Sequence, residues 1–96
     1  QQNDSIQLGH SYNNLGRMFF DGGDQVRAIN NFFRAKEIFD ALNNKSGLAY
    51  VFRSLASVYK AQNEFDNAIE MSDKAYKIRG ELGDRRGIIS SLTEYG

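Results

Sequence analysis

The chain repeats itself at a spacing of forty residues: Leu8/Leu48, Leu15/Leu55, Ala28/Ala68, Ile29/Ile69, Ala35/Ala75, Ile38/Ile78, Leu42/Leu82 and Gly47/Gly87 are identical pairs. Tyr12/Phe52, Met18/Val58 and Phe19/Tyr59 are similar ones. A period of this size leaves few architectures open, because each unit covers its neighbour's apolar face instead of closing a core of its own. The expectation is a stacked array, and the role such arrays serve best is that of a binding scaffold.

Within each period the apolar residues recur at spacings of three and four, the signature of amphipathic helices. The first expected helix, about residues 4–20, carries Ile6, Leu8, Tyr12, Leu15, Met18 and Phe19. It stops at Asp21-Gly22-Gly23-Asp24, where glycine suits a helix end and Asp24 can cap the next start. The second, about residues 25–42, sets Ala28, Ile29, Phe32, Ala35, Ile38, Phe39 and Leu42 on one stripe. After a break at Asn43-Asn44-Lys45-Ser46 the third runs to about residue 60 with Leu48, Val51, Phe52, Leu55, Val58 and Tyr59. The fourth, about residues 65–82, repeats the stripe with Ala68, Ile69, Ala75, Ile78 and Leu82, and its Glu70/Lys74 and Asp73/Lys77 pairs read as a solvated face. A fifth begins near Arg85 with Ile88, Ile89, Leu92 and Tyr95.

Composition narrows the function. Proline, cysteine and tryptophan are absent, so helices run uninterrupted and neither a disulfide framework nor a thiolate metal site can form. Twelve acidic and twelve basic side chains cancel, leaving no global field for nucleic acid or an anionic membrane. No apolar run approaches the ~20 residues of a membrane span. His10 is the only histidine; a histidine-based metal site within one chain is excluded, and its simplest reading is an exposed helix residue. Asp21-Gly22-Gly23-Asp24 lacks the alternating oxygens of a calcium loop and the lysine of a phosphate loop, so it is a turn. Asn3-Asp4-Ser5 and Asn44-Lys45-Ser46 match the glycosylation acceptor pattern, which matters only in a secreted chain. No constellation pairs a nucleophile with a base, so no enzyme, metal or cofactor is expected. The chain starts at Gln1 and not methionine, as expected of part of a longer protein.

In each period an aromatic, a leucine with a small residue and a second aromatic occupy the first helix, with small residues in the second. Repeat one supplies Tyr12, Leu15-Gly16, Phe19, Gly23, Ala28, Phe32 and Ala35; repeat two supplies Phe52, Leu55-Ala56, Tyr59, Asn63, Ala68, Ser72 and Ala75; Leu92 and Tyr95-Gly96 begin a third. This pattern resembles the tetratricopeptide repeat. It departs from the commonest form in its longer period, in lacking the proline near the repeat end, and in Ser72 where an aromatic is usual. The forty-residue period, Asn14-Leu15-Gly16 and the junction Leu82-Gly83-Asp84-Arg85-Arg86-Gly87 are similar to the long-period subgroup of kinesin light chains, Pins-type scaffolds and bacterial sensor regions. The resemblance implies an all-α, right-handed superhelix in one domain over residues 1–96: repeats at about 5–44 and 45–84, then a single helix at about 85–96.

In that family the first helix of each pair lines a concave groove that holds extended peptides or partner helices. Carried over by position, the groove set is His10, Asn13, Asn14, Arg17 and Phe20, then Tyr50, Arg53, Ser54, Ser57 and Lys60, followed by Ser90, Thr93 and Glu94. Their spacing projects them together, opposite Leu15, Phe19, Leu55 and Tyr59. Asparagine suits a peptide main chain and arginine a carboxylate. Of the adjacent aromatics, Phe20 and Phe33 are the candidates for exposed apolar contact. The expected function is protein or peptide binding in the cytoplasm; the alternative is a regulatory region of a larger bacterial sensor kinase or transcription regulator. An incomplete stack also leaves apolar surface at its ends, which suggests self-association through the terminal helices.

Overall fold

The computed structural model describes residues 2–81, which form four helices: α1 (Gln2–Asp21), α2 (Gln25–Ala41), α3 (Lys45–Ala61) and α4 (Phe65–Glu81). There is no strand among the described residues. The expected fifth helix, the 82–87 junction and Ser90, Thr93 and Glu94 lie outside them.

Three turns of the same build join the helices. In each, the middle residue has positive φ: Gly23 at 89°, Asn43 at 52° and Asn63 at 64°. The next amide then donates back to the carbonyl five residues earlier: Asp24 to Phe19 at 2.8 Å, Asn44 to Phe39 at 2.9 Å and Glu64 to Tyr59 at 2.9 Å. That is the Schellman closure, which satisfies carbonyls the helix end would leave open. Two of the following helices are capped by the same third residue. Asp24 Oδ1 accepts from the Arg27 amide at 3.1 Å, and Asn44 Oδ1 from the Gly47 amide at 2.9 Å. The Asn44 of the second glycosylation-like triplet is thus committed to holding α3. Such short turns force consecutive helices to lie antiparallel, and α1 packs on α2, α2 on α3 and α3 on α4, with α1 also beside α3. This packing is consistent with a helical repeat.

Two aromatics from α2 fill the space between the first helices of the pairs. Phe39 is fully buried, and a Cβ built on Gly9 of α1 or Gly47 of α3 would fall 2.7 Å or 2.3 Å from its ring. Phe32 is buried against Gly16, whose Cβ would fall 2.5 Å away. Because α1 and α2 are antiparallel, Gly9 and Gly16, seven apart, match Phe39 and Phe32, also seven apart. Leu55, Val51 and Val58 complete the centre of the core. The repeat is also visible in a side-chain contact made twice: Arg34 lies over the Tyr12 ring at 5.8 Å, and forty residues on Lys74 lies over Phe52 at 5.6 Å.

Several expectations need correcting. Identical repeat partners do not share burial: Leu55 is 0% exposed but Leu15 is 41%, because α3 packs on α1, α2 and α4 while α1, among the described residues, packs on α2 and α3 alone. Leu8 and Met18 are exposed for the same reason. Ile69 is exposed although Ile29 is half-buried against the core. Glu70, Asp73, Lys74 and Lys77 are all exposed, as a solvated face requires, but they do not form ion pairs; among the described residues these are Asp24–Arg27, Lys36–Asp40 and Lys45–Glu81, and Lys74 lies over the Phe52 ring.

Candidate functional site

Where α1 and α3 run side by side, Phe32 reaches up between them from α2, and the surface above it is an open cleft of about 230 Å³. Its lining comes from α1 (Asn13, Arg17, Phe20, Asp21), α2 (Phe32) and α3 (Tyr50, Arg53, Ser54, Ser57). The helical spacing explains the selection: 13, 17 and 20 fall on one side of α1, and 50, 53, 54 and 57 on the matching side of α3.

The floor is closed by a link between the two helices. Ser54 Oγ lies 3.0 Å from Asn13 Oδ1 and 3.1 Å from the Tyr50 carbonyl, and its single proton serves one acceptor at a time. Asn13 is 5% exposed, so it ties α1 to α3 and is not an open groove residue as its position in the helix suggested. Phe20 is half-buried and packs on the core as well as lining the cleft, so its contact surface is partial and not freely exposed; Phe33, by contrast, is exposed. Ser57 Oγ donates to the Arg53 carbonyl at 3.3 Å, turning its proton back onto the helix.

The rim is charged. Arg17 and Arg53 are both exposed, one from each helix, and neither has a carboxylate within ion-pair distance among the described residues. Asp21 stands at the end of α1. Two guanidinium groups and one carboxylate leave the rim with one net positive charge in a chain that is neutral as a whole. Chemically the cleft offers two forked donors beside three aromatic rings, buried Phe32, half-buried Phe20 and exposed Tyr50.

The remaining groove residues stand apart from it. His10 is half-buried, its ring edge-on to Phe39 at 5.1 Å and to Tyr50 at 6.1 Å between centroids, which makes it a packing residue and corrects its reading as an exposed one. Asn14 is exposed and does not line the cleft. Lys60 lies at a second, shallower hollow of about 260 Å³ with Arg53, Ala56, Ser57, Ala68 and Ser72. Ser72 stands forty residues after Phe32, so the hollow marks where repeat two carries a hydroxyl instead of a ring.

Sequence reasoning missed Asp21, Phe32 and Gly9. The sequence pattern gives Asp21 only as part of a turn and Phe32 only as core; for Phe32 and Gly9 the glycine and phenylalanine pairs, each seven apart, are the available signal. Among the described residues no three His, Cys, Asp or Glu side chains come together to hold a metal ion, and no helix is long and apolar enough to cross a membrane. Comparison with family models, with curated proteins and with solved structures found no match.

Proposed function

We propose that the chain is a right-handed stack of tetratricopeptide-type repeats whose α1/α3 cleft binds a protein or peptide segment carrying an acidic side chain next to an apolar one. The observation that supports this reading is the pair of guanidinium groups, Arg17 and Arg53, on two different helices beside Phe20, Phe32 and Tyr50, neither of them ion-paired among the described residues. Guanidinium forks recognise carboxylates with two parallel bonds, and the aromatic lining rewards an apolar neighbour. The Asn13–Ser54 link ties α1 to α3, so the two helices that carry the arginines keep their spacing before a ligand arrives. Cytoplasmic residence goes with this reading, since a chain without disulfides suits a reducing compartment.

The test is selection from a displayed library of random linear peptides, followed by affinity measurement on the enriched sequences. Aspartate or glutamate beside an apolar residue should dominate the selected set. Replacing Arg17 and Arg53 together by alanine should weaken binding by about 1–3 kcal/mol, with helical content unchanged and a salt-sensitive on-rate in the parent chain. Peptides without acidic residues, or equal affinity for the double variant, would remove the cleft as the site.

A further inference from the structure

Ile29, Phe32 and Lys36 of α2 are all buried or half-buried, whereas their counterparts forty residues on in α4, Ile69, Ser72 and Tyr76, are all exposed among the described residues. Ile69 is 60% exposed and Tyr76 50%, two large apolar side chains on one stripe. Beside them lies the second hollow, about 260 Å³ between α3 and α4, with Arg53 and Lys60 at its edge and Ala56, Ala68 and Ser72 around it. In the first repeat the corresponding space is filled by the Phe32 ring.

We propose that the occupant of this face is the chain's own segment 85–96, packing as a helix along α3 and α4 with the Tyr95 ring in the hollow and Glu94 paired with Arg53. Contacts in this fold recur at forty residues: the Arg34–Tyr12 contact returns as Lys74–Phe52, and the positive-φ turn is made three times. Carried one repeat further, three independent features match. The turn into α3 uses Asn43 at positive φ and Asn44 as cap, and forty residues on stand Gly83 and Asp84, suited to the same two tasks. The Asn13–Ser54 link between α1 and α3 translates to Arg53 and Glu94, which carry opposite charge. Size matches as well. Gly47 of α3 meets the Phe39 ring, and antiparallel helices rise equally, so Leu55, eight residues further along, is level with Phe32 to within a residue. By the same count Tyr95 is level with Ser72, and its ring restores the bulk lost where serine replaces Phe32. Ile88, Ile89 and Leu92 bring apolar cover at the level of Tyr76. A separate partner would have to reproduce these matches against a segment already tethered to the end of α4. A guanidinium has five donors, so Arg53 can hold Glu94 and still meet a ligand's carboxylate at the cleft. Covering the hollow needs no ligand, so this inference and the binding reading stand or fall separately.

Proton NOE spectra of the whole chain should place the Tyr95 ring against the Ala56 and Ala68 methyl groups, and hydrogen exchange should show the Leu92 amide slowed at least about tenfold from its unfolded rate. Ser72→Phe should lower the urea midpoint of the parent chain, where the new ring and that of Tyr95 compete for the hollow, but raise it in a Tyr95→Ala background. Arg53→Glu and Glu94→Arg should each lower the midpoint, and the two combined should recover part of the loss. Absent contacts between Tyr95 and the two alanines, an unprotected Leu92 amide, Ser72→Phe acting with one sign in both backgrounds, or reversed charges that do not recover would each overturn the proposal.

Discussion

Adding one methyl group at Gly16 opposes two effects whose sizes are both known. In the middle of a helix, glycine to alanine ordinarily stabilises by about 1 kcal/mol, because alanine has the higher helix propensity. At Gly16 the new Cβ would lie 2.5 Å and 2.6 Å from two atoms of the Phe32 ring and 3.0 Å from the Ala28 carbonyl oxygen. Phe32 is 1% exposed, so relieving the clash requires turning the ring out of its packed position towards the cleft or separating the helices. Overpacking of this kind costs up to about 3 kcal/mol, which leaves Gly16→Ala destabilised by about 2 kcal/mol. Urea denaturation followed by circular dichroism should show the midpoint falling at constant slope. Gly80, with nothing among the described residues within 4 Å of a built Cβ, supplies the control: alanine there should be neutral or stabilising. Shrinking the ring relieves the clash, so Gly16→Ala with Phe32→Leu should cost at least about 1 kcal/mol less than the sum of the single changes. An unchanged or raised midpoint for Gly16→Ala, or strict additivity in the double variant, would show that α1 and α2 are not held by this contact.

The caps and turns make quieter predictions of the same kind. Asp24→Ala and Asn44→Ala each remove a side-chain acceptor from a helix start and should lower stability by about 1 kcal/mol in the same denaturation assay. Asn63→Gly relieves a positive φ and should raise stability by several tenths of a kcal/mol, whereas Gly23→Ala, at φ 89°, should lower it by about 1 kcal/mol.

The helices were legible because their ends are written locally. Asp24 and Asn44 are cap residues, the breaks contain glycine or asparagine where positive φ is needed, and the expected boundaries up to the start of α4 fall within two residues of those observed. Burial was less legible. Leu15 and Leu55 carry the same residue in the same register, and only the presence of α2 beside α3 separates them. The cleft positions were approachable through helical spacing, which groups 13, 17 and 20 with 50, 53, 54 and 57. The state of each side chain was not, since whether Asn13 meets water or Ser54 depends on the distance between α1 and α3. Phe32 entered the cleft from the other helix of its pair, a contribution no reading of α1 and α3 alone could contain. Lys74 showed a further limit: an acid one turn away was visible in sequence, but the Phe52 ring on the neighbouring helix was not.

The claim that binding occurs between α1 and α3 is tested most directly by amide chemical-shift mapping of the labelled chain during titration with a peptide selected from the displayed library. The account expects the largest changes at Arg17, Phe20, Tyr50, Arg53 and Ser57, with Leu8, Leu15 and the outer residues of α2 and α4 unaffected. Changes concentrated at Leu8 and Leu15 or on the outer faces of α2 and α4, with the cleft residues silent, would contradict it.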